Sequence, residues 1–71
     1  MPLYELRKNH RCTIEKIPAI QLLKSIGVRE GMTVSVMSRQ PLGGPIVIQI
    51  GKRSFAIARD VAEQIVVREV N

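Results

Sequence analysis

The chain has 71 residues, a formal net charge of +5 and 45% hydrophobic residues, but its only aromatic residues are Tyr4 and Phe55. A chain this short predicts a single domain over residues 1–71 with a thin, aliphatic core. The lone cysteine excludes an internal disulfide and favours a reducing compartment, so we expect a cytoplasmic protein. We expect neither a signal peptide nor a membrane span, since no window approaches the ~20 apolar residues a span needs.

The first ten residues and the stretch after them predict a short turn followed by a strand. Leu3, Tyr4 and Leu6 are expected to form one turn that caps a small barrel. Residues 11–17 alternate between two faces, which is typical of a strand, and Pro18 ends this pattern.

From Ala19 the pattern changes to that of a short amphipathic helix. Apolar residues recur at helical spacing up to Ile26, and Pro18 suits the first turn of such a helix. Gly27 suits its C-terminal cap. A tight turn containing Gly31 is then expected to deliver the chain into the next strand.

Segment 39–45 is the strongest turn signal in the chain. Two prolines fix φ there, and the adjacent Gly43 and Gly44 are predicted to supply the positive φ that a tight reversal needs. The flanking segments 32–38 and 46–50 are rich in β-branched residues, which favours strands. This segment is therefore predicted to join the second and third strands.

The rest of the chain predicts two more strands. Gly51 and Lys52 form a candidate two-residue hairpin turn, and segment 53–58 is the return strand. Segment 59–64 is predicted to be one helical turn, and 65–70 the last strand. The predicted fold is mostly β: a small, partly open five-stranded barrel with one short inserted helix and a helical turn before the last strand.

No arrangement of residues predicts catalysis or a resident metal. His10 and Cys12 are the only soft metal ligands, and a structural zinc site needs four. Cys12 is interpreted as a small core residue and His10 as a solvated one. The carboxylates show no cluster, and the glycines of segment 39–45 do not open a phosphate-binding helix. We therefore expect neither an enzyme nor a cofactor.

The basic charge points to an acidic partner, which includes nucleic acid, or to a solvated surface. Arg39, Lys52 and Arg53 are predicted to form a modest basic patch at loop and hairpin ends. Nucleic-acid binding by small barrels combines such a patch with stacking aromatics, and Phe55 is more consistent with the core. A basic barrel that binds RNA or DNA is the alternative function.

Several apolar residues on the helix and near the central turn exceed what a five-stranded core needs. They are predicted to form a docking site for a partner protein. For the helix residues, the alternative is that they plug one end of the barrel. The candidate partner-binding residues are Leu22, Leu23, Ile26, Met37, Leu42 and Pro45.

The order of these features resembles one known family. The resemblance rests on Leu23-x-x-Ile26-Gly27-Val28-x-x-Gly31, then Pro41-Leu42-Gly43-Gly44-Pro45, then Gly51 and Phe55-Ala56-Ile57-Ala58-Arg59. This combination is similar to the ferrous iron transport protein A family, FeoA.

The resemblance implies an SH3-like barrel that serves ferrous iron uptake in the cytoplasm. It implies a partner, the cytoplasmic GTP-binding part of the FeoB transporter, and brings no catalytic or metal-ligand motif. Exposed strand edges also leave self-association open. The family's matching glycines are expected to be structural turns: Gly27, Gly31, Gly43, Gly44 and Gly51.

Overall fold

The structure is a computed structural model, and it describes residues 1–70. The elements are a 3₁₀ turn at Leu3–Glu5, β1 at Arg11–Lys16, α1 at Gln21–Ile26, β2 at Thr33–Arg39, β3 at Ile46–Ile50, β4 at Arg53–Ile57, α2 at Arg59–Ala62 and β5 at Val66–Val70. The five antiparallel strands form one sheet in the order β4-β3-β2-β1-β5.

The predicted mostly β fold is confirmed, including a helix between β1 and β2 and a helical turn before β5. Irregular registers in β1, between Ile14 and Lys16, and in β2, between Val36 and Ser38, let the strands bend. Among residues 1–70 no helix is long and apolar enough to cross a membrane.

Helix α1 begins later than its sequence pattern predicts. Ile20 is the N-cap residue, with an extended backbone, and its N–H donates to the Pro18 carbonyl at 2.8 Å. Pro18 therefore lies in a turn before the helix, and its predicted place in the first helical turn is wrong. The helix ends at Gly27, which has a φ of 85°.

The core is aliphatic and is built from alternate residues of the strands. Leu3 and Leu6 of the opening segment are buried with them, so this segment covers part of the sheet. The buried hydrophobic residues are Leu3, Leu6, Cys12, Ile14, Leu23, Val28, Val34, Val36, Ile46, Ile48, Ile57, Ala62, Ile65 and Val67.

The two edges of the sheet differ. Residues 1–3 run beside the start of β5, where Leu3 N–H donates to the Ile65 carbonyl at 2.7 Å. Val67 N–H donates to the Met1 carbonyl, also at 2.7 Å, and Pro2 forms a bridge with Val66. At the opposite edge, β4 pairs with β3 through a two-residue turn whose Gly51 has a φ of 60°.

Candidate partner-binding site

Leu42 lies at the tip of the loop 40–45 that joins β2 to β3. Its φ is 61° and that of Gly43 is 78°, and Gly44 N–H donates to the Pro41 carbonyl at 3.4 Å. Two consecutive positive φ values are characteristic of a type I′ turn. The prediction that the two glycines supply the positive φ is wrong at one position, because Leu42 takes the place assigned to Gly44. A leucine in this conformation costs about 1–2 kcal/mol.

The close approach of Gln40 requires a glycine at position 44, whereas Gly43 is favoured by its positive φ and lies against the flexible end of Arg59. A Cβ at Gly44 would lie 2.6 Å from the Cβ of Gln40. At Gly43, which also has positive φ, a Cβ would lie 2.8 Å from Nη1 of Arg59. The loop is therefore packed against its own base and against α2.

Tyr4 and Arg39 brace the base of the loop. The Tyr4 hydroxyl donates to the Gly44 carbonyl at 2.8 Å. Nη1 of Arg39 donates to the Leu6 carbonyl at 2.6 Å and also to the Tyr4 carbonyl, and its Cζ lies 5.1 Å from the centroid of the Tyr4 ring. These contacts tie the base of the loop to the opening segment.

Arg59 adds a second guanidinium to the Tyr4 ring. Its Cζ lies 5.6 Å from the ring centroid, and its Nε donates to a Glu63 carboxylate oxygen at 3.2 Å. Cation–π packing of this kind contributes roughly 0.5–1 kcal/mol at exposed sites. Sequence reasoning missed this brace because Tyr4 and Gly44 are 40 positions apart, and no local pattern predicts their contact.

The predicted site residues differ widely in exposure. Leu42 is 104% exposed, Leu22 49% and Met37 40%, and Pro45 is also exposed. Ile26 is partly buried against the core.

Leu23 is completely buried, so its assignment to a docking surface is wrong. The six-residue helix α1 places one residue, Leu23, in the core. A side chain that fills the core cannot also contact a partner. Of the two interpretations of this position, the one in which it packs the barrel holds.

Four of the remaining candidates lie in the segments before and after β2, and Met37 lies on the strand itself. Helix α1, with Leu22, precedes this strand, whereas Leu42 and Pro45 follow it. Seven residues of strand extend over about 23 Å at ~3.3 Å per residue. The predicted surface is therefore divided into a loop patch, Leu42 and Pro45, and a helix patch, Leu22 and Ile26, while Met37 stands apart from both on β2.

The predicted basic patch is also divided. Arg39 stands opposite Ile46 at one end of β3, whereas Arg53 stands opposite Ile50 at the other, next to Lys52. These three residues do not form one patch, because the strand separates them.

Arginine guanidinium groups pack over both aromatic rings. The Cζ of Arg53 lies 5.3 Å from the centroid of the partly buried Phe55 ring, and Tyr4 packs against Arg39 and Arg59. Stacking of nucleic-acid bases would have to displace these groups. The aromatic residues therefore lend no support to the alternative function.

An open cleft of about 490 Å³ lies between the end of β1, α1 and the turn into β2. Its lining mixes two apolar side chains with three charged ones, and Leu22 and Ile26 are not part of it. The lining residues are Ile17, Lys24, Val28, Arg29 and Glu30.

Cys12 is buried in the core, and His10 pairs with Glu69. Burial, and to a lesser extent the charge of Glu69, raises the pKa of the Cys12 thiol from 9.0 to about 11. The thiol is therefore protonated at neutral pH, whereas metal binding and nucleophilic attack require the thiolate.

Nδ1 of His10 contacts a Glu69 carboxylate oxygen at 2.5 Å. Within residues 1–70 no group of three or more His, Cys, Asp or Glu side chains is placed to hold a metal ion.

The family model described as "FeoA domain" matches residues 1–69, nearly the whole chain. The chain belongs to the FeoA family. The resemblance drawn from the glycine and proline pattern is thus confirmed. Comparison with curated protein sequences gave no match.

Solved structures agree with this FeoA assignment. An iron uptake regulatory protein (FeoA) is 34% identical with a TM-score of 0.88, and the match covers 99% of this chain and 96% of that one. FeoA of Stenotrophomonas maltophilia, complexed with zinc and described as a prokaryotic SH3 domain protein, is 25% identical with a TM-score of 0.81 over 96% and 89% of the two chains. The predicted SH3-like fold is confirmed.

A manganese-dependent transcriptional repressor shares the fold alone. It is 21% identical with a TM-score of 0.88, and the match covers 99% of this chain but 41% of the repressor. The FeoA fold therefore also occurs within larger proteins of a different class.

Proposed function

We propose that this protein is a non-enzymatic cytoplasmic component of ferrous iron transport that binds the cytoplasmic GTP-binding part of a FeoB-type transporter through Leu42. Its membership of the FeoA family supports a role in ferrous iron transport. The proposal adds the partner and the contact residue.

The conformation of Leu42 is the observation that carries the proposal. This side chain is fully exposed, and its backbone lies in a region that disfavours leucine. Strain at an exposed position brings no packing benefit, and conformational outliers of this kind cluster at functional sites. Burying one leucine in a partner's pocket contributes about 1.5–3 kcal/mol.

The brace around the loop supports binding by lowering its entropic cost. Tyr4 and Arg39 fix the loop through hydrogen bonds to backbone carbonyls, so Leu42 is held in place before a partner arrives. A preorganised contact loses less conformational freedom when the complex forms.

A binding experiment with the FeoB cytoplasmic domain tests the proposal. Leu42→Glu is expected to weaken binding by at least about tenfold, or ~1.4 kcal/mol. Leu22→Glu is the matched control, because it places the same charge on an exposed leucine at the other end of β2. If Leu42→Glu binds as well as the parent, or Leu22→Glu loses as much, the loop is not the contact.

The net charge of +5 favours binding to RNA or DNA as a second candidate. This candidate predicts an affinity for a generic oligonucleotide that falls steeply with salt, since each phosphate contact releases counterions. No binding at low ionic strength would remove it.

A further inference from the structure

We propose that β4 pairs with β4 of a second copy of the chain, so that two molecules form a two-fold symmetric antiparallel dimer. The residues that carry this dimer, Ser54, Phe55 and Ala56, lie outside the Leu42 loop. The proposal therefore does not depend on the identity of the transporter partner.

The chain covers one edge of its sheet with its own first residues but does not cover the other edge in this way. The start of β5 is covered by residues 1–3 through backbone hydrogen bonds. In the part of the chain that the structure describes, β4 has β3 as its single strand neighbour. Its residues 53–57 make no backbone hydrogen bond to any loop or turn described. Such an edge is a template for another strand.

The register of the hairpin shows which backbone groups face outward. Arg53 stands opposite Ile50 across the two-residue turn, and the pairing continues with Phe55 opposite Ile48. In an antiparallel ladder, hydrogen-bonded and non-hydrogen-bonded pairs alternate, and the pair that flanks a two-residue turn is hydrogen-bonded. The N–H and C=O groups of Ser54 and Ala56 therefore point away from β3.

Ser54 and Ala56 leave this edge accessible. Both residues are exposed, and both are small and uncharged. Natural edge strands are usually blunted by a lysine, a proline or a bulge. The strand carries none of these at its two outward-facing positions, and the one charge on it, Arg53, packs over the Phe55 ring with its Cζ 5.3 Å from the centroid.

A two-fold axis through Phe55 gives a self-complementary register. Ser54 then pairs with Ala56 of the second copy, and Ala56 with its Ser54, so that the outward-facing groups satisfy one another. Phe55 meets Phe55 of the second copy at a non-hydrogen-bonded position, where Cα atoms lie about 4.5 Å apart and side chains approach closely. Arg53 stands opposite Ile57 of the second copy, so no like charges face each other directly.

This register explains the position of Phe55. Its ring is partly buried at the rim of the core, in a strand whose next inward-facing residue, Ile57, is fully buried. The second copy would cover the part of the ring that neither the core nor the Arg53 guanidinium covers. Because three residues from each chain take part, the dimer is expected to be weak and concentration-dependent.

Cysteine cross-linking tests the register. Phe55→Cys is expected to form a disulfide-linked dimer on mild oxidation, because residue 55 meets its own copy at a Cα distance within the range of disulfides, roughly 4.4–6.8 Å. Ser54→Cys alone and Ala56→Cys alone should form no disulfide-linked dimer, whereas a mixture of the two should cross-link. The buried Cys12 provides no competing thiol. Absence of the Phe55→Cys dimer in a folded protein, or equal cross-linking of Ser54→Cys alone, overturns the proposal.

Sedimentation analysis tests the dimer with Phe55 intact. The parent should show a rising mean mass with concentration, and Ala56→Lys should remain monomeric because a lysine blocks the edge. Thr33→Lys is the charge-matched control, since Thr33 is exposed on β2 in the middle of the sheet. It should dimerise like the parent.

Two sedimentation results would contradict the dimer. One is a parent that stays monomeric at the highest concentration reached. The other is an Ala56→Lys variant that dimerises as the parent does. If the parent is monomeric and Ala56→Lys instead weakens binding to the FeoB domain, the edge is occupied by the transporter, and the proposal of a second copy is wrong.

Discussion

The loop 40–45 and helix α1 each expose a leucine, but the two leucines are held in different ways. Leu42 has a positive φ on a loop braced by Tyr4 and Arg39, and it is fully exposed. Leu22 lies in an ordinary helix and is half-exposed, next to the fully buried Leu23.

This difference decides which leucine supports a functional claim. An exposed apolar residue beside a buried one is ordinary on the border of an amphipathic helix, because much of any protein surface is apolar. An exposed leucine on a strained and braced loop has no such explanation. The candidate contact therefore moves from the helix to the loop.

The largest expected effect is on the free energy of unfolding, and it differs between the two neighbouring leucines of α1. Leu23→Ala should lower the free energy of unfolding by about 2–5 kcal/mol, because it leaves a cavity in the core. Leu22→Ala should change it by less than about 1 kcal/mol. Urea denaturation of both variants measures this. Equal losses would mean that α1 does not seat Leu23 as the structure shows.

The core beneath both regions should weaken at alkaline pH. Below pH 9.0 the Cys12 thiol is protonated in the folded and in the unfolded chain. Between pH 9.0 and about 11 this thiol ionises in the unfolded chain but stays protonated in the folded one. Stability should therefore fall by roughly 2–3 kcal/mol as pH rises through this range. Cys12→Val should lose this component in pH-dependent denaturation. An unchanged alkaline loss in the variant would exclude Cys12 as its source.

The brace is tested by Tyr4→Phe, which removes the hydroxyl that donates to Gly44. Loss of this hydrogen bond should cost about 0.5–1.5 kcal/mol. It should also weaken binding to the FeoB domain, although Tyr4 itself is not proposed to touch the partner. Calorimetric titration and thermal denaturation measure the two effects. Binding equal to that of the parent would show that the brace does not position Leu42.

The smallest expected change in stability is an increase for a glycine in the loop 40–45 and a decrease for a glycine in α1. Leu42→Gly should raise stability by up to about 1 kcal/mol, because relief of the unfavourable φ outweighs the added entropy of the unfolded chain. Leu22→Gly should lower it by about 0.5–1 kcal/mol, since glycine disfavours a helix. A destabilising Leu42→Gly in denaturant titrations would mean that Leu42 is not strained.

The strands could be predicted from sequence because their signals are local. Segment 46–50 and the Gly51 turn lie where β-branched alternation and hairpin chemistry place them. The start of α1 could not be placed, because the apolar spacing extends back to Ala19 although the turn at Pro18 prevents helix there.

The site was less predictable than the fold. The sequence marked Leu42 as a candidate partner-binding residue, but it assigned the positive φ to the neighbouring Gly43 and Gly44 and not to Leu42. The contacts of Tyr4 with Gly44 and of Arg39 with Leu6 join distant parts of the chain, so no local pattern reveals them. Helical spacing places Leu22, Leu23 and Ile26 on one face of α1. It does not predict which of these side chains is buried in the core.

Chemical-shift mapping with the FeoB cytoplasmic domain tests the central claim most directly. In the isotope-labelled protein, the signals of residues 40–45 and of Tyr4 should shift or broaden on titration, while those of α1 stay in place. Perturbation confined to α1, with residues 40–45 unaffected, would contradict the assignment of the contact to the Leu42 loop.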